Sequence, residues 1–424
     1  MNPIVKVVKK TPLKAVWKAA KHSSWGKALR KKWRKAYEDK IYFHTFPEAY
    51  TSQVDQPLQE NKVILIEPRY ASLSNSFQVL YQELIQNYNF DVHIHCLRDT
   101  FVPKSQYVEN CQAMLKDAAT AKYIFLTEAS RVISCVPLRK ETIVTQLWHG
   151  CGAFKKFGLS TAELIFGPNT ESLKRHPFHK YYHLVTVSSP EVIWAYAQAM
   201  GLEEEKELIQ PIGVSRTDVF FHKEKEVQAR EKLERLMPSA KGKKVILYAP
   251  TFRGRVAKAK SSDQLDVEQF QKAFEGEYVL LMKHHPIVKV RPEIPEEALG
   301  SFAMDMTDSM TIDELLFVSD ICISDYSSLI FEYSLFERPM IFFAYDLDEY
   351  FDWRGFYYNY DELTPGPIFK ENAPMIEYIR HIEERFDRQQ VKNFKEKFMS
   401  ACDGHATERI LERTFGDDLK KYHK

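Results

Sequence analysis

The sequence predicts an α/β protein of two Rossmann-like, doubly wound halves facing a cleft, preceded by a basic amphipathic helical segment. Three observations predict it. Short apolar runs alternate with amphipathic segments from Lys62 onward, the order of strand and helix that builds parallel sheets. The alternation restarts after a charged stretch at 223–244, so the 424 residues divide into two domains of ordinary size. The first forty residues have a composition of their own. The expected boundaries are 1–58 for the basic segment, 59–235 for the first half and 236–424 for the second.

Residues 1–40 hold thirteen Lys/Arg against Glu38 and Asp39, a local charge of +11; the remaining 46 basic and 56 acidic side chains leave −10. Trp17, Trp25 and Trp33 recur every eight residues, with Val16, Ala20 and Leu29 among them. Eight residues are slightly more than two helical turns, so the indoles stay near one face while Lys and Arg fill the others. That pattern fits a helix lying in an anionic membrane interface. A packed or solvated helix is the second reading and a nucleic-acid arm the third. His22-Ser23-Ser24 and Gly26 offer a break between two helices. No apolar run approaches the ~20 residues of a membrane span, and no signal peptide is expected. The six cysteines, Cys96, Cys111, Cys135, Cys151, Cys322 and Cys402, show no CxxC spacing and read as reduced, buried thiols.

In the first half, strands are expected at 63–66, 90–96, 123–127, 142–148 and 184–187, with helices over 77–88, 108–119 and 191–200. The charged stretch holds the last helix of this half. Strands follow at 244–249, 278–283, 320–324 and 339–343, and the C-terminal residues read as helices with charged faces. Doubly wound halves bind ligands at the carboxyl ends of their strands. Residues just after strands are therefore the candidates.

After the apolar run Ile321-Cys322-Ile323 the chain turns through Ser324-Asp325-Tyr326-Ser327-Ser328 into an apolar helix. A helix opening at Ser327 and Ser328 offers free N–H groups and hydroxyls to a phosphate. Glu332, one turn on, can face the same ligand, for instance at a ribose hydroxyl. The bland alternative is a plain serine N-cap. After 142–147 comes Trp148-His149-Gly150-Cys151-Gly152. His149 can take a proton near neutral pH, and Gly150 lets the backbone approach a substrate. Lys155 and Lys156 add charge there or form a solvated loop.

Arg216, in the strand-to-turn segment 211–218, can pair with a phosphate. Pro250 stops the ladder of the next strand, and Thr251, with Arg253 close behind, can hold a phosphate or a base. Lys283-His284-His285-Pro286 ends the strand after that. Adjacent residues of a strand point to opposite sides, so one histidine faces the cleft, and His285 is the one expected. Neighbouring histidines suggest a divalent metal, but no cysteine or carboxylate stands at ligand spacing, and no cofactor is assigned. Without a Walker loop or GxGxxG, the pattern points to displacement on a nucleotide-activated donor.

Trp148-His149-Gly150, the Arg216 segment, Pro250-Thr251-Phe252-Arg253, His285-Pro286, Ser324-Asp325-Tyr326-Ser327-Ser328 and Arg354-Gly355-Phe356-Tyr357 follow one another in that order. Together they resemble the CDP-glycerol glycerophosphotransferase family of teichoic acid primases and polymerases, over residues 60–400. The resemblance implies a GT-B type of fold, with a CDP-polyol donor on the C-terminal domain. It also implies a membrane-linked glycan or polyol-phosphate acceptor entering from the N-terminal side, and peripheral attachment to the cytoplasmic face of an anionic membrane. Carried over by motif, His149 is the general base or orients phosphate, and His285 is the second catalytic histidine. Gly150, Arg216, Pro250, Thr251, Arg253, Lys283, His284, Asp325, Ser327, Ser328 and Glu332 line the donor site. Many members have aspartate where this chain has Glu332.

The implied reaction moves glycerol phosphate from CDP-glycerol with release of CMP. Its rivals are CDP-ribitol or capsule synthesis, a GT-B glycosyltransferase using a UDP-sugar, and a non-catalytic membrane scaffold. No nucleic-acid partner is expected.

Overall fold

The computed structural model describes residues 24–162, 164, 170–254, 259–262 and 264–424; Trp17 lies outside them. These residues build two six-stranded parallel sheets. The first contains β1 (Gln59–Glu67), β2 (Asp91–Cys96), β3 (Ala121–Leu126), β4 (Ile143–Gln146), β5 (Tyr182–Thr186) and β6 (Ile209–Gln210), in the order β2-β1-β3-β4-β5-β6. The second contains β7 (Lys244–Tyr248), β8 (Tyr278–Met282), β9 (Ala303–Asp305), β10 (Ile321–Ser324), β11 (Met340–Phe343) and β12 (Ile368–Phe369), in the order β12-β11-β10-β7-β8-β9.

Burial explains why the main strands are legible. On β1, Val63 and Leu65 pack with Phe77, Leu80 and Tyr123, while Ile64 and Ile66 face the opposite layer with Ile124 and Leu126. A sheet covered on both faces must be apolar on both, so its strands read as unbroken apolar runs. β6, β9 and β12 are only two or three residues long and each closes one edge of a sheet. Runs that short carry no periodicity, and the sequence reading passed over all three.

Two spans are divided differently from the sequence reading. Residues 236–424 were expected to travel together, yet the helix Ala406–Phe415 crosses back to the first sheet. Its Phe415 ring lies 4.4 Å from that of Tyr123, and Asp218 accepts the N–H groups of Ala406 and Thr407 at 3.1 and 2.7 Å. Within 1–58, the helix Phe46–Thr51 belongs to the first core: Phe46 and Tyr50 are fully buried, and the Tyr50 hydroxyl accepts from the Arg139 N–H at 3.0 Å. The preceding helix, Ser24–Lys40, runs unbroken through Gly26 and leaves Trp25 and Trp33 72% and 71% exposed.

β1 is flanked by β2 and β3, and β7 by β8 and β10, so in each sheet the sequence order reverses at its first strand. Such a reversal opens a crevice at the carboxyl ends of the strands. The two crevices meet, because Asn75, after β1, donates to Asp313, after β9. The segment 154–156 of the first half also pairs by backbone with 355–357 of the second: Lys156 N–H to Gly355 O at 3.0 Å and Tyr357 N–H to Phe154 O at 3.1 Å.

Candidate active site

The first wall of the site is the loop after β4. Trp148 takes a left-handed conformation (φ 58°), and its N–H is held by the Gln146 side chain at 2.9 Å. This turn projects His149 outward. Its Nδ1 lies 2.9 Å from the Thr127 carbonyl. A carbonyl only accepts, so Nδ1 carries the proton and Nε2 of the neutral ring is a bare acceptor. His149 is exposed at the crevice, yet the surrounding protein desolvates it enough to lower its basicity below the ordinary 6.5. Thr127 O and Glu128 oppose that shift; the Arg69 and Arg216 charges add to it. The imidazole is therefore neutral at pH 7.

Gly150 faces open space, as a position for close backbone approach would. Gly152 does the opposite. It sits at φ 61°, and a Cβ there would lie 2.3 Å from the Phe331 ring of the other half. Only glycine lets the two halves come this close.

The second wall is built from the ends of β7, β8 and β10. Asp325 is 1% exposed and spends both carboxylate oxygens internally. It accepts the N–H groups of Thr251 at 2.9 Å and Tyr326 at 2.6 Å and the Thr251 hydroxyl at 3.0 Å, and pairs with Arg253 at 2.9 Å. Arg253 also forks onto Asp346 at 2.5 and 2.9 Å. Pro250, ahead of them, is buried. Lys283 donates to the carbonyls of Thr307 (2.8 Å) and Met310 (2.5 Å), and its burial lowers its basicity. His284 is 2% exposed; its Nδ1 meets the Ser261 hydroxyl at 2.8 Å, and its Nε2 is buried without a partner. Asp325, Arg253 and Lys283 thus spend polar atoms bracing the strand ends, while His284 is held by Ser261 and keeps a buried Nε2 without a partner.

The groups that do open are His285, Ser327 and Ser328. His285 is exposed and its Nδ1 accepts the Ile287 N–H at 3.2 Å, so in the neutral ring the proton sits on Nε2. Desolvation, then the charges of Lys155 and Arg69, depress its basicity. Ser327 Oγ accepts weakly from Leu329 N–H at 3.4 Å. Ser328 precedes the short helix Leu329–Ser334 without making a side-chain cap, which leaves its exposed hydroxyl for another partner. The Arg69 charge lowers the basicity of both His149 and His285.

Arg216 stands at the seam, 14% exposed. Its Nη2 donates to Asp313 at 2.7 Å, and its Nη1 donates to the His149 carbonyl at 3.1 Å and lies 3.4 Å from Glu332. Burial raises the Glu332 carboxyl above its ordinary value and the Arg216 charge works against that rise. Arg216 Nε and Glu332 Oε2 are both buried there with no hydrogen-bond partner. Arg216 therefore ties the backbone of His149 to the second half, and Glu332 is turned onto Arg216.

Sequence reasoning missed Arg69, Asn75 and Asp313. Arg69 lies in the loop after β1 and pairs with Glu128 at 2.9 Å; the strand-end rule applied to 63–66 would have found it. Asp313 sits inside a capping box formed by Thr311 and Glu314, a readable helix start. That it meets Arg216 is not readable, since the two are brought together only by the docking of the halves.

The family model for CDP-Glycerol:Poly(glycerophosphate) glycerophosphotransferase matches residues 48–416. The teichoic acid ribitol-phosphate primase of Bacillus spizizenii is 34% identical over 360 residues, covering 84% of this chain and 91% of that protein. The teichoic acid glycerol-phosphate primase of Bacillus subtilis is 28% identical over 375 residues, covering 88% and 89%. The solved structure of the wall teichoic acid polymerase TagF aligns with a TM-score of 0.73 at 21% identity, over 93% of this chain and 98% of that one, which shows a common fold. With two parallel-sheet domains meeting at their carboxyl ends and a family match spanning both, this chain belongs to the CDP-glycerol:poly(glycerophosphate) glycerophosphotransferase family and is a CDP-polyol phosphotransferase of teichoic acid synthesis.

Proposed function

We propose that the enzyme transfers ribitol phosphate from CDP-ribitol to a lipid-linked acceptor and releases CMP. The observation that carries the chemistry is the opposed tautomers of two histidines that follow strands of the two sheets: Nε2 of His149 is an acceptor, Nε2 of His285 a donor. On this reading, an acceptor hydroxyl gives its proton to His149 Nε2 while its oxygen attacks the β-phosphorus. The bond from that phosphorus to the bridging oxygen breaks, its electron pair leaves with CMP, and a phosphodiester remains. His285 N–H and the hydroxyls of Ser327 and Ser328 donate to the phosphate oxygens, where charge stabilisation lowers the barrier most. The first sheet (59–235) receives the acceptor and the second (236–424) the donor.

The sequence reading favoured glycerol. Ribitol is preferred here because the relative named for ribitol phosphate is 34% identical and the primase named for glycerol phosphate 28%. The test is CMP release with a lipid-linked acceptor and either donor. CDP-ribitol is expected to be used at least tenfold better in kcat/KM. Preference for CDP-glycerol would restore the earlier reading, and turnover of a UDP-sugar alone would overturn the reaction class.

The helix Ser24–Lys40 supports a peripheral position on an anionic membrane surface. Trp25, Leu29, Trp33 and Tyr37 follow one another at four-residue intervals, all exposed, with Lys and Arg between them. No helix among the described residues is long and apolar enough to cross a membrane. Co-sedimentation with anionic vesicles is expected to be lost in a Trp25→Ala/Trp33→Ala variant and weakened by salt. Equal sedimentation of variant and wild type would discard the proposal.

A further inference from the structure

On the outer edge of the first sheet, along β2, five side chains from three neighbouring segments converge. Asp91, His93 and His95 alternate along β2 and so share a face; Asp117 comes from the helix Lys104–Ala118, and Lys62 from β1. His93 Nδ1 and His95 Nε2 lie 2.7 and 2.8 Å from the same oxygen, Asp117 Oδ2. The other nitrogen of His93 lies 3.0 Å from Asp91. Lys62 pairs with the second oxygen of Asp117 and donates to Thr120 at 3.0 Å.

His93 therefore has a carboxylate oxygen against each ring nitrogen. Carboxylates only accept, and a neutral imidazole has a single N–H. One of the two contacts needs something more, a second proton or a cation bound at a nitrogen. The ligand atoms of His93, His95 and Asp117 all lie within 4.8 Å of one another. Bonds of about 2.0–2.2 Å in a tetrahedron set ligand atoms roughly 3.3–3.6 Å apart, an outward shift of about 0.5–0.9 Å from the contacts His93 and His95 now make with Asp117. The surrounding contacts are those a metal site uses: Asp91 orients His93 through its far nitrogen, and Lys62 holds the unused oxygen of Asp117.

We propose that His93, His95 and Asp117 bind a divalent transition-metal ion of the zinc type, with solvent in the fourth position. The ion clamps the edge strand β2 to the helix Lys104–Ala118. Nitrogen and carboxylate donors in this number suit zinc or cobalt over calcium or magnesium. Lys62 is a like charge to the ion, so binding is weaker than at a cysteine site.

The test uses untagged full-length protein, stripped with a chelator and titrated with Co2+ and then Zn2+. Saturable uptake of a single ion per chain is expected, with the visible bands of low-coordinate cobalt, which zinc abolishes. Zinc should also raise the melting temperature. His93→Ala and His95→Ala should each lower affinity at least tenfold, and Asp91→Asn by 10–100-fold. His405→Ala, remote and exposed, should change nothing. Absence of saturable cobalt binding in the wild type would overturn the proposal without reference to any variant. So would binding that survives in the His93→Ala/His95→Ala double variant, and the cluster would then be a hydrogen-bonded strut.

Discussion

Replacing His149 by alanine is expected to lower the rate of CMP release by about 10²–10⁴-fold, the range of a lost general base. The fold should survive, since the side chain makes one hydrogen bond, to Thr127, of about 0.5–1.5 kcal/mol. The pH profile separates a base from a structural residue. A base works in its neutral form, so the rate falls as pH drops through its pKa. Desolvation and the nearby Arg69 and Arg216 charges place that pKa below 6.5. The acid limb of kcat should therefore lie below pH 6.5 in the wild type and vanish in His149→Ala. An alanine variant within tenfold of the wild type, or an acid limb above pH 6.5, would remove His149 from this role.

Arg216→Ala is expected to destabilise the protein by about 3–5 kcal/mol, as removal of one partner from a buried ion pair does. Glu332 is 3% exposed and would be left in the seam with no cation beside it, and Asp313, also buried, would keep only the neutral donor Asn75. Arg216→Lys should recover only part of the loss, because an ammonium cannot reach Asp313, Glu332 and the His149 carbonyl from one planar fork. Glu332→Gln should cost far less, since Arg216 keeps Asp313 and the buried charge is removed along with its desolvation. Denaturant unfolding of the three variants gives the ranking. A loss below about 1 kcal/mol in Arg216→Ala would mean that the seam is solvated in solution and the pair behaves as a surface contact.

What the sequence determined by itself is the α/β class, the restart at 244, and the placement of the candidate residues after strands. These are local properties. A parallel strand buried on both faces must be apolar throughout, so β1, β3, β7, β8, β10 and β11 are written in runs such as Val63-Ile64-Leu65-Ile66. The places of His149, His285, Ser327 and Ser328 a few residues after β4, β8 and β10 could be read in the same local way.

Tertiary structure decided the rest. Nothing in the composition of β6, β9 or β12 marks an edge strand of two or three residues. Their partners, Val185 and Thr186, Leu280 to Met282, and Phe342 and Phe343, supply the pairing. The return of Ala406–Phe415 to the first sheet depends on Asp218, almost two hundred residues earlier. Arg216 and Asp325 looked like ligands because their charges are chemically suited to one. Arg216 meets Asp313 and Glu332 of the other half, and Asp325 meets Thr251 and Arg253 some seventy residues earlier in its own half; no spacing along the chain encodes either meeting. His93, His95 and Asp117 are the clearest instance. The i, i+2 spacing on a strand puts two imidazoles on one face, but only the helix packed over β2 supplies the oxygen between them.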